Sequence, residues 1–369
     1  MDLPTNPYPS PWPQERPKPR LRTRIFQSRL FGFPAVNLIL FLLTFVTTTV
    51  AGALHAGADP FSDPTQIVRG LPFSVTLMAI LLSHELGHYT LAMYHGVRAT
   101  LPFFIPGPPW LVGTFGAFIR MYGMPKSRRA LFDVGAAGPW AGLMVAVPAV
   151  VIGLHWSDVR PLQQGVEGTL TLGDSLLFTS LAHLVLGVDP NQVTILLHPV
   201  ALAGWFGIFV TFLNLLPVGQ LDGGHVVYAL FGRRHWAIAR AFLLLVFGLG
   251  FLGWQGWFLW TFMLAFVLRV DHPDTADAET PLDPRRKLAA WMTIAIFVLT
   301  FMPVPLSVVE APERGNPPIE RFYRDAPAAP RSPHDFDQPG DDDNDRGPML
   351  NTALPGASSV PRHPGAGLV

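Results

Sequence analysis

The sequence of 369 residues contains no cysteine. This absence excludes disulfide bonds, cysteine-ligated zinc and a cysteine nucleophile. Any metal site in the chain must therefore be built from histidine and carboxylate side chains.

Charged residues are also scarce, since Asp, Glu, Lys and Arg make up 14% of the chain, against about 25% in a typical soluble domain. The formal net charge is zero, which gives no electrostatic basis for binding nucleic acid. Apolar residues make up 49%, and several segments approach the roughly 20 apolar residues that a bilayer-spanning helix needs. The composition predicts a multi-pass integral membrane protein surrounded by a lipid bilayer.

The hydropathy pattern predicts an all-α polytopic fold of about seven transmembrane helices with a re-entrant loop or β-hairpin. The fifth and sixth spans come from one apolar run, which the Gly and Trp residues between Gly250 and Trp257 divide. The exact span count within 237–269 stays open. The predicted spans are 34–54, 72–94, 134–153, 196–216, 237–251, 255–269 and 288–306.

The basic residues predict the orientation of these spans. The loops opposite the N-terminus, 55–71 and 155–195, contain only Arg69 and Arg160. Every basic cluster falls in the other loops, which the positive-inside rule therefore assigns to the cytoplasm. These clusters are Lys126, Arg128 and Arg129, then Arg233, Arg234 and Arg240, then Arg285, Arg286 and Lys287.

The domain organisation follows from the same pattern. Residues 1–30 are predicted to be a basic, Pro-rich cytoplasmic N-terminus, and 31–306 a membrane-embedded domain. Residues 307–369 are rich in Pro, Asp and Arg and predict a disordered tail. The apolar segment 95–133 is broken by Pro and Gly, which exclude a continuous helix. At membrane depth such a backbone must be buried in protein or line a cavity, so we predict a re-entrant hairpin, with a surface loop as the alternative.

The second predicted span contains His84-Glu-Leu-Gly-His88. Residues four apart share one face of a helix, so His84 and His88 can reach one metal ion. Glu85 lies beside the first ligand and can act on a metal-bound water, which is the arrangement of zinc proteases. The alternative is a set of polar residues that hydrogen-bond helices together, but ionisable residues within an apolar span favour a function.

Catalytic zinc usually has three protein ligands, and the third must come from elsewhere in the chain. Asp222 follows the fourth predicted span, which returns to the side where the second span ends. Gly223 and Gly224 beside it allow the backbone to turn sharply. His225 and His95 are competing candidates, and the spacing alone does not decide among the three.

These motifs resemble the site-2 protease family of intramembrane zinc metalloproteases. The resemblance is carried by His84-Glu-Leu-Gly-His88 within a span, followed by Asn214-x-x-Pro217 and Leu221-Asp222-Gly223. It implies one zinc ion per chain, held by His84, His88 and Asp222, with Glu85 as the catalytic residue. It also implies that the substrates are transmembrane segments of proteins.

Further stretches resemble the branch with plastid and cyanobacterial members linked to ethylene-dependent gravitropism. These are Gly113–Arg120, Phe132–Gly142 and Leu282–Arg286. No segment resembles a PDZ domain or a CBS pair. We expect an integral membrane protein of the bacterial inner membrane, with a plastid or thylakoid membrane as the alternative and the active site toward the cytoplasm.

Two further sets of residues are candidates for substrate binding. Asn214 is polar within an apolar stretch and can stabilise an oxyanion or orient the substrate, or else bond across helices. The stretch after Gly113 alternates small and aromatic residues and can offer a strand edge to an extended substrate, or else be a hairpin that plugs the cavity. Its candidate residues are Gly113, Thr114, Phe115, Gly116, Ala117 and Phe118.

A membrane metal-ion transporter or metal-binding protein is the alternative function, because it would also need intramembrane His and Asp. Transporters more often distribute ionisable residues along a path through several spans. Here these residues converge near one side of the membrane, which favours the protease.

Overall fold

The computed structural model describes residues 29–30, 33–123, 125–161, 170–268 and 279–308, together with 270, 272, 275 and 277. The described residues up to Ser307 form one compact unit. The predicted disordered tail from residue 309 onward and almost all of the predicted basic N-terminus lie outside the described residues.

The described part of the chain is mostly helical, with several short antiparallel strand pairs. Its helices are α1 Ala35–His55, α2 Leu71–Tyr94, α3 Arg128–His155, α4 Leu176–Leu186, α5 Pro199–Asn214, α6 Asp222–Phe231, α7 His235–Leu252, α8 Gly256–Phe262, which continues as a π-helical turn over Met263–Val267, and α9 Pro284–Thr300. Its strands are β1 Arg29–Leu30, β2 Phe33–Pro34, β3 Phe103–Pro106, β4 Thr114–Phe118, β5 Asp158–Pro161, β6 Leu170–Leu172, β7 Val193–Leu196 and β8 Leu306–Val308.

Four helical segments of the described chain are long and apolar enough to cross a membrane. They are Ala35–His55, Pro64–Tyr94, Arg128–His155 and Asp222–Leu252, and the protein is a multi-pass membrane protein. Each of the seven predicted spans overlaps a helix, and a break at Gly253 separates α7 from α8 as the Gly and Trp residues predicted. Helices α5, α8 and α9 are shorter than a complete span.

Two predicted boundaries are wrong. Helix α3 begins at Arg128, inside the segment 95–133 that was assigned to the hairpin. The segment 155–195 was treated as a loop, yet it contains the 11-residue helix α4. A search for spans of about 20 residues overlooks so short a helix, although Ser175 caps its start and Gly187, with φ of 67°, ends it.

The core forms where α3 packs between α2 and α5. Small residues allow this close contact: a Cβ on Gly204 of α5 would lie 2.7 Å from Val150 Cγ2, and one on Gly207 would lie 2.9 Å from Ile80 Cδ1. Trp205 is fully buried in this core, and its indole nitrogen donates to the carbonyl of Gly173 at 2.8 Å. Helix α3 is therefore the central helix against which the site is built.

Strands β3 and β4 form the predicted hairpin, pairing Phe103 with Phe118. Three side chains of α1 bind its backbone: Asn37 donates to the carbonyls of Leu101 and Pro102 at 2.9 Å each, Thr47 donates to that of Gly113 at 2.6 Å, and His55 Nε2 lies 2.7 Å from that of Leu111. Asn37 and His55 lie about 27 Å apart along the helix axis, at 1.5 Å per residue. The hairpin therefore extends along nearly the whole length of α1.

An ion-pair network joins α2, α3 and α9 at the end of the bundle that carries the basic loops. His95, which caps α2, places Nε2 2.8 Å from Asp133 Oδ2. Arg286 of α9 binds the same carboxylate with two hydrogen bonds of 2.8 and 2.7 Å. Its hydrogen bond to Asp283 lowers the pKa of that carboxyl to about 2, so Asp283 remains ionised and caps α9.

Replacing Asp133 with Asn should lower the midpoint of thermal unfolding by roughly 3–6 °C, because Arg286 and His95 lose a charged acceptor. Light-scattering or fluorescence melts of the purified protein in detergent measure this change. Asp158→Asn, at an exposed strand position, is the matched control. Equal midpoints for the two variants would show that the network does not stabilise the fold.

Candidate metal centre

The structure brings the three predicted ligands, His84, His88 and Asp222, to one point. The Asp222 Oδ2 atom lies 3.2 Å from the Nε2 atom of each histidine, and the two Nε2 atoms are 3.1 Å apart. Both histidines are buried, with 4% and 8% of their surface exposed. This is the one group of at least three potential ligands that the described residues form.

The two elements that carry these side chains meet for local reasons. His84 and His88 are one turn apart in α2, and Asp222 is the first residue of α6. The chain between α5 and α6 folds back tightly, with Gly219 at φ of 57°. A Cβ on Gly223 would lie 1.9 Å from the carbonyl oxygen of Leu215. Glycine after Asp222 is therefore required for this turn to place the carboxylate against α2.

The protonation of His88 shows what the cluster can hold. Its Nδ1 atom lies 2.7 Å from the Val134 carbonyl, which accepts only, so Nδ1 carries a proton, and in the neutral ring Nε2 then keeps its lone pair. That lone pair faces Asp222 Oδ2, also an acceptor when ionised, and His84 Nε2. Acceptors that converge in this way are satisfied by a cation between them.

The dimensions of the cluster fit zinc. Ligand distances of about 2.0–2.2 Å give tetrahedral edges of about 3.3–3.5 Å, close to the observed separations of 3.1–3.2 Å. Two imidazoles and one carboxylate are also a usual ligand set of catalytic zinc, with the fourth position left for water.

Glycines of α3 give the histidines their space. A Cβ on Gly138 would lie 2.0 Å from His88 Nε2, and one on Gly142 would lie 3.3 Å from His84 Nδ1. The sequence indicated only that Gly135, Gly138 and Gly142 let helices pack closely. The structure adds that Gly138 and Gly142 face the metal ligands themselves.

Glu85 lies next to the cluster and is buried, with 6% of its surface exposed. The backbone N–H of Ile119, one residue beyond strand β4, lies near its carboxylate. Asn214, at the end of α5, places Nδ2 3.3 Å from His84 Nε2. Both predicted polar residues therefore border the candidate metal position. The sequence could not predict the Ile119 contact, because every residue except proline has a backbone N–H.

The two competing third ligands lie elsewhere. His95 binds Asp133, as described above. His225 Nδ1 lies 2.7 Å from His272 Nε2, in a buried aromatic group with Tyr228. Each competing histidine already has its own partner, and Asp222 alone of the three candidates reaches the histidine pair.

The hairpin residues predicted to bind substrate differ in their exposure and contacts. Gly113 is held against α1, since a Cβ there would lie 2.4 Å from the Thr47 carbonyl oxygen, and Thr114 donates to the Ile105 carbonyl. Phe115 and Phe118 are exposed, by 68% and 47%. Gly116 has a φ of 100° with open space beside it, and Ala117 is partly buried near Phe104.

Comparison with known proteins agrees with this geometry. Residues 72–252 match peptidase family M50. The chain belongs to this family. Its members are zinc metalloproteases, and the family implies protein substrates. The matched residues include both motifs that supply the ligand cluster.

Several plant proteins named as probable zinc metalloproteases are similar to this chain. The "Probable zinc metalloprotease EGY1, chloroplastic" of Arabidopsis thaliana is 30% identical over 292 residues, covering 73% of this chain and 53% of the relative. The corresponding EGY2 protein is 28% identical over 248 residues, covering 67% and 44%. EGY3 of Oryza sativa subsp. japonica is 28% identical over 257 residues, covering 63% and 42%. The chain thus spans about half the length of these relatives. No solved structure matches.

Adding one methyl group at Gly138 tests the metal centre. Gly138→Ala should reduce bound zinc to well below half of the wild-type content, because the added Cβ overlaps the His88 ring. Elemental analysis of the purified protein measures the change. Gly248→Ala is the control, since nothing lies within 4 Å of a Cβ there. Full zinc content in Gly138→Ala would mean that His88 does not hold the metal at this position.

Proposed function

We propose that this member of family M50 is an intramembrane zinc endopeptidase that hydrolyses peptide bonds in or near transmembrane segments of membrane proteins. The observation that carries the proposal is the buried His84–His88–Asp222 cluster within a multi-pass helical body, with Glu85 beside it. Ionisable residues in such a setting are expensive to bury and mark a functional site.

The proposal includes a topology of seven spans with the metal centre nearer the cytoplasmic side. His88 lies six residues before the end of α2, about 9 Å along the helix axis. The chain then continues toward the basic residues around Lys126, which the positive-inside rule assigns to the cytoplasm. A bacterial inner membrane is the proposed location, with a plastid membrane as the alternative that the chloroplastic relatives favour.

The chemistry divides between the metal and the protein. Zinc held by His84, His88 and Asp222 would lower the pKa of a bound water and polarise a peptide carbonyl. Glu85 accepts the proton of the attacking water and delivers it to the leaving amine. The Ile119 N–H, which lies near the Glu85 carboxylate, is placed to donate to it, and Val134 fixes the His88 ring.

Asn214 is proposed to bind the developing oxyanion. Its amide lies beside His84, so a carbonyl that reaches the metal position also comes within reach of Nδ2. An amide donor placed in a buried, low-dielectric site stabilises negative charge more than it would in water.

Strand β4 is proposed to hold the substrate. Helix α1 packs mainly against β3, while β4 lies toward α2, and Ile119 just after β4 reaches Glu85. A cleavable peptide bond must first leave its helix, and its freed backbone groups then need partners within the membrane. An extended segment that pairs with β4 would satisfy those groups and pass the catalytic carboxylate.

Glu85→Gln should abolish cleavage of a transmembrane substrate, by at least about a thousandfold, while zinc content stays near one per chain. The substitution removes the proton acceptor and leaves the three ligands in place. A cleavage assay in detergent, combined with elemental analysis, measures both quantities. Glu279→Gln, at an exposed position, is the control. Retained cleavage in Glu85→Gln would refute the proposed mechanism.

Proline substitutions in β4 test the docking strand. N–H groups along a strand alternate in direction, so one of Ala117 and Phe118 donates to β3 and the other points away. A lost pairing donor costs about 1–3 kcal/mol, so the proline at the outward donor should slow cleavage roughly tenfold or more, with zinc content and melting temperature unchanged. The other proline should chiefly lower the melting temperature.

Ala117→Val and Phe118→Leu keep the backbone donors and serve as controls. A substrate loosened by Gly or Pro should also be cut faster than an all-Leu segment. Unchanged rates in both proline variants, together with equal cleavage of the two substrates, would exclude β4 as the docking strand.

A further inference from the structure

An apolar groove of about 250 Å³ lies between α6, α7 and α9. Its walls are almost wholly hydrocarbon, from residues such as Val227 of α6, Ile238 of α7 and Ile294 of α9. Its volume is below the roughly 300–1,000 Å³ of ordinary small-molecule sites. The groove therefore suits a single narrow apolar chain.

The inner end of the groove touches the segment that builds the metal centre. Leu215, which follows Asn214, and Gly223, which follows Asp222, both line it. The outer end is formed by Phe231 and Trp291, whose rings pack edge to face with centroids 6.0 Å apart. Trp291 is 54% exposed. The groove thus leads from the periphery of the helix bundle to the turn that carries a proposed ligand.

Basic residues stand near the outer end, one just before α7 and one in the first turn of α9. Arg234 precedes Ile238 by four residues, and Lys287 precedes Trp291 by four and Ile294 by seven. At these spacings each basic residue shares a helix face with the groove-lining residues and lies one turn farther out. Arg234 and Lys287 are both exposed, and both belong to the side that the positive-inside rule makes cytoplasmic.

We propose that this groove binds one acyl chain of an anionic phospholipid, with the lipid phosphate held by Arg234 and Lys287. The apolar walls offer nothing to a polar ligand, whereas the bilayer supplies hydrocarbon chains at the same depth. Lys and Arg at the membrane surface attract anionic headgroups. The juxtaposition of a chain-sized groove with two basic residues at its mouth therefore matches the two ends of such a lipid.

Occupancy of the groove has a structural consequence. The end of the acyl chain would lie against Leu215 and Gly223, in the turn that carries Asp222. Filling that space adds contacts behind the turn, since an empty apolar cavity leaves its lining without partner atoms. The bound lipid therefore stabilises the fold around the metal centre, whether or not the protein cleaves a substrate.

Native mass spectrometry of the full-length, zinc-loaded protein in a neutral detergent tests the proposal. Phosphatidylglycerol and phosphatidylcholine with identical acyl chains are the probes. We expect phosphatidylglycerol to bind roughly tenfold more tightly and to raise the melting temperature. The double variant Arg234→Gln/Lys287→Gln should remove that preference without changing zinc content.

Two further variants separate the headgroup from the chain. Ile294→Trp narrows the groove and should weaken binding of both lipids, provided that its melting temperature without lipid equals that of the wild type. Arg69→Gln/Arg160→Gln removes two exposed basic residues from the opposite side of the membrane and should bind as the wild type does.

Three results would overturn the proposal. They are equal affinity of the wild type for the two lipids, an unchanged preference in Arg234→Gln/Lys287→Gln, and photo-crosslinking from position 238 to a substrate peptide in place of lipid. Each is measured without a cleavage assay, so a failure here is distinct from a failure of the proposed protease function.

Discussion

The close contact between α2 and α3 is the constraint on which the site depends. Gly138 and Gly142 bring the backbone of α3 to van der Waals distance of the two histidine rings, and the Val134 carbonyl then fixes the tautomer of His88. A larger residue at Gly138 would overlap the His88 ring and displace it from its orienting acceptor, whereas one at Gly142 would press on His84. Metal binding therefore depends on the absence of side chains at these two glycines of α3 as well as on the two histidines of α2.

The same helix separates the competing polar groups. Asp133 of α3 takes His95 and Arg286 into one network, and Gly135 makes room for His225 to meet His272. Buried polar groups are costly unless they are paired. Each competing histidine has its own hydrogen-bond partner. Neither His95 nor His225 therefore interferes with the contacts among His84, His88 and Asp222.

Much of this could be predicted from the sequence, for reasons that differ among residues. His84 and His88 are one turn apart in a strongly apolar segment, so the pattern alone places both on one face. Asp222 could not be separated from His225 or His95 by spacing, and the resemblance to a known family decided it. The four-residue interval between Gly138 and Gly142 indicated close packing, but not which side chains would fill the space.

Other features had no signal of their own in the sequence. The Ile119 amide lies near Glu85 only because the β3–β4 hairpin places the end of β4 beside that part of α2. The ion pair of Asp133 with Arg286 joins residues 153 positions apart, and neither residue alone indicates its partner. Helix α4 was not predicted because it has 11 residues, and a search for membrane spans looks for longer apolar segments.

The four hydrogen bonds from α1 to the hairpin have a mechanical consequence. Because Asn37, Thr47 and His55 hold the hairpin near its base, near its turn and at its tip, the hairpin and α1 are joined into a single panel. Widening the space between β4 and α2 therefore requires the whole panel to slide. Such sliding is opposed by the close packing of Gly52 in α1 against Gly70 and Phe73, where a Cβ on Gly52 would lie 2.7 Å from the Gly70 carbonyl oxygen.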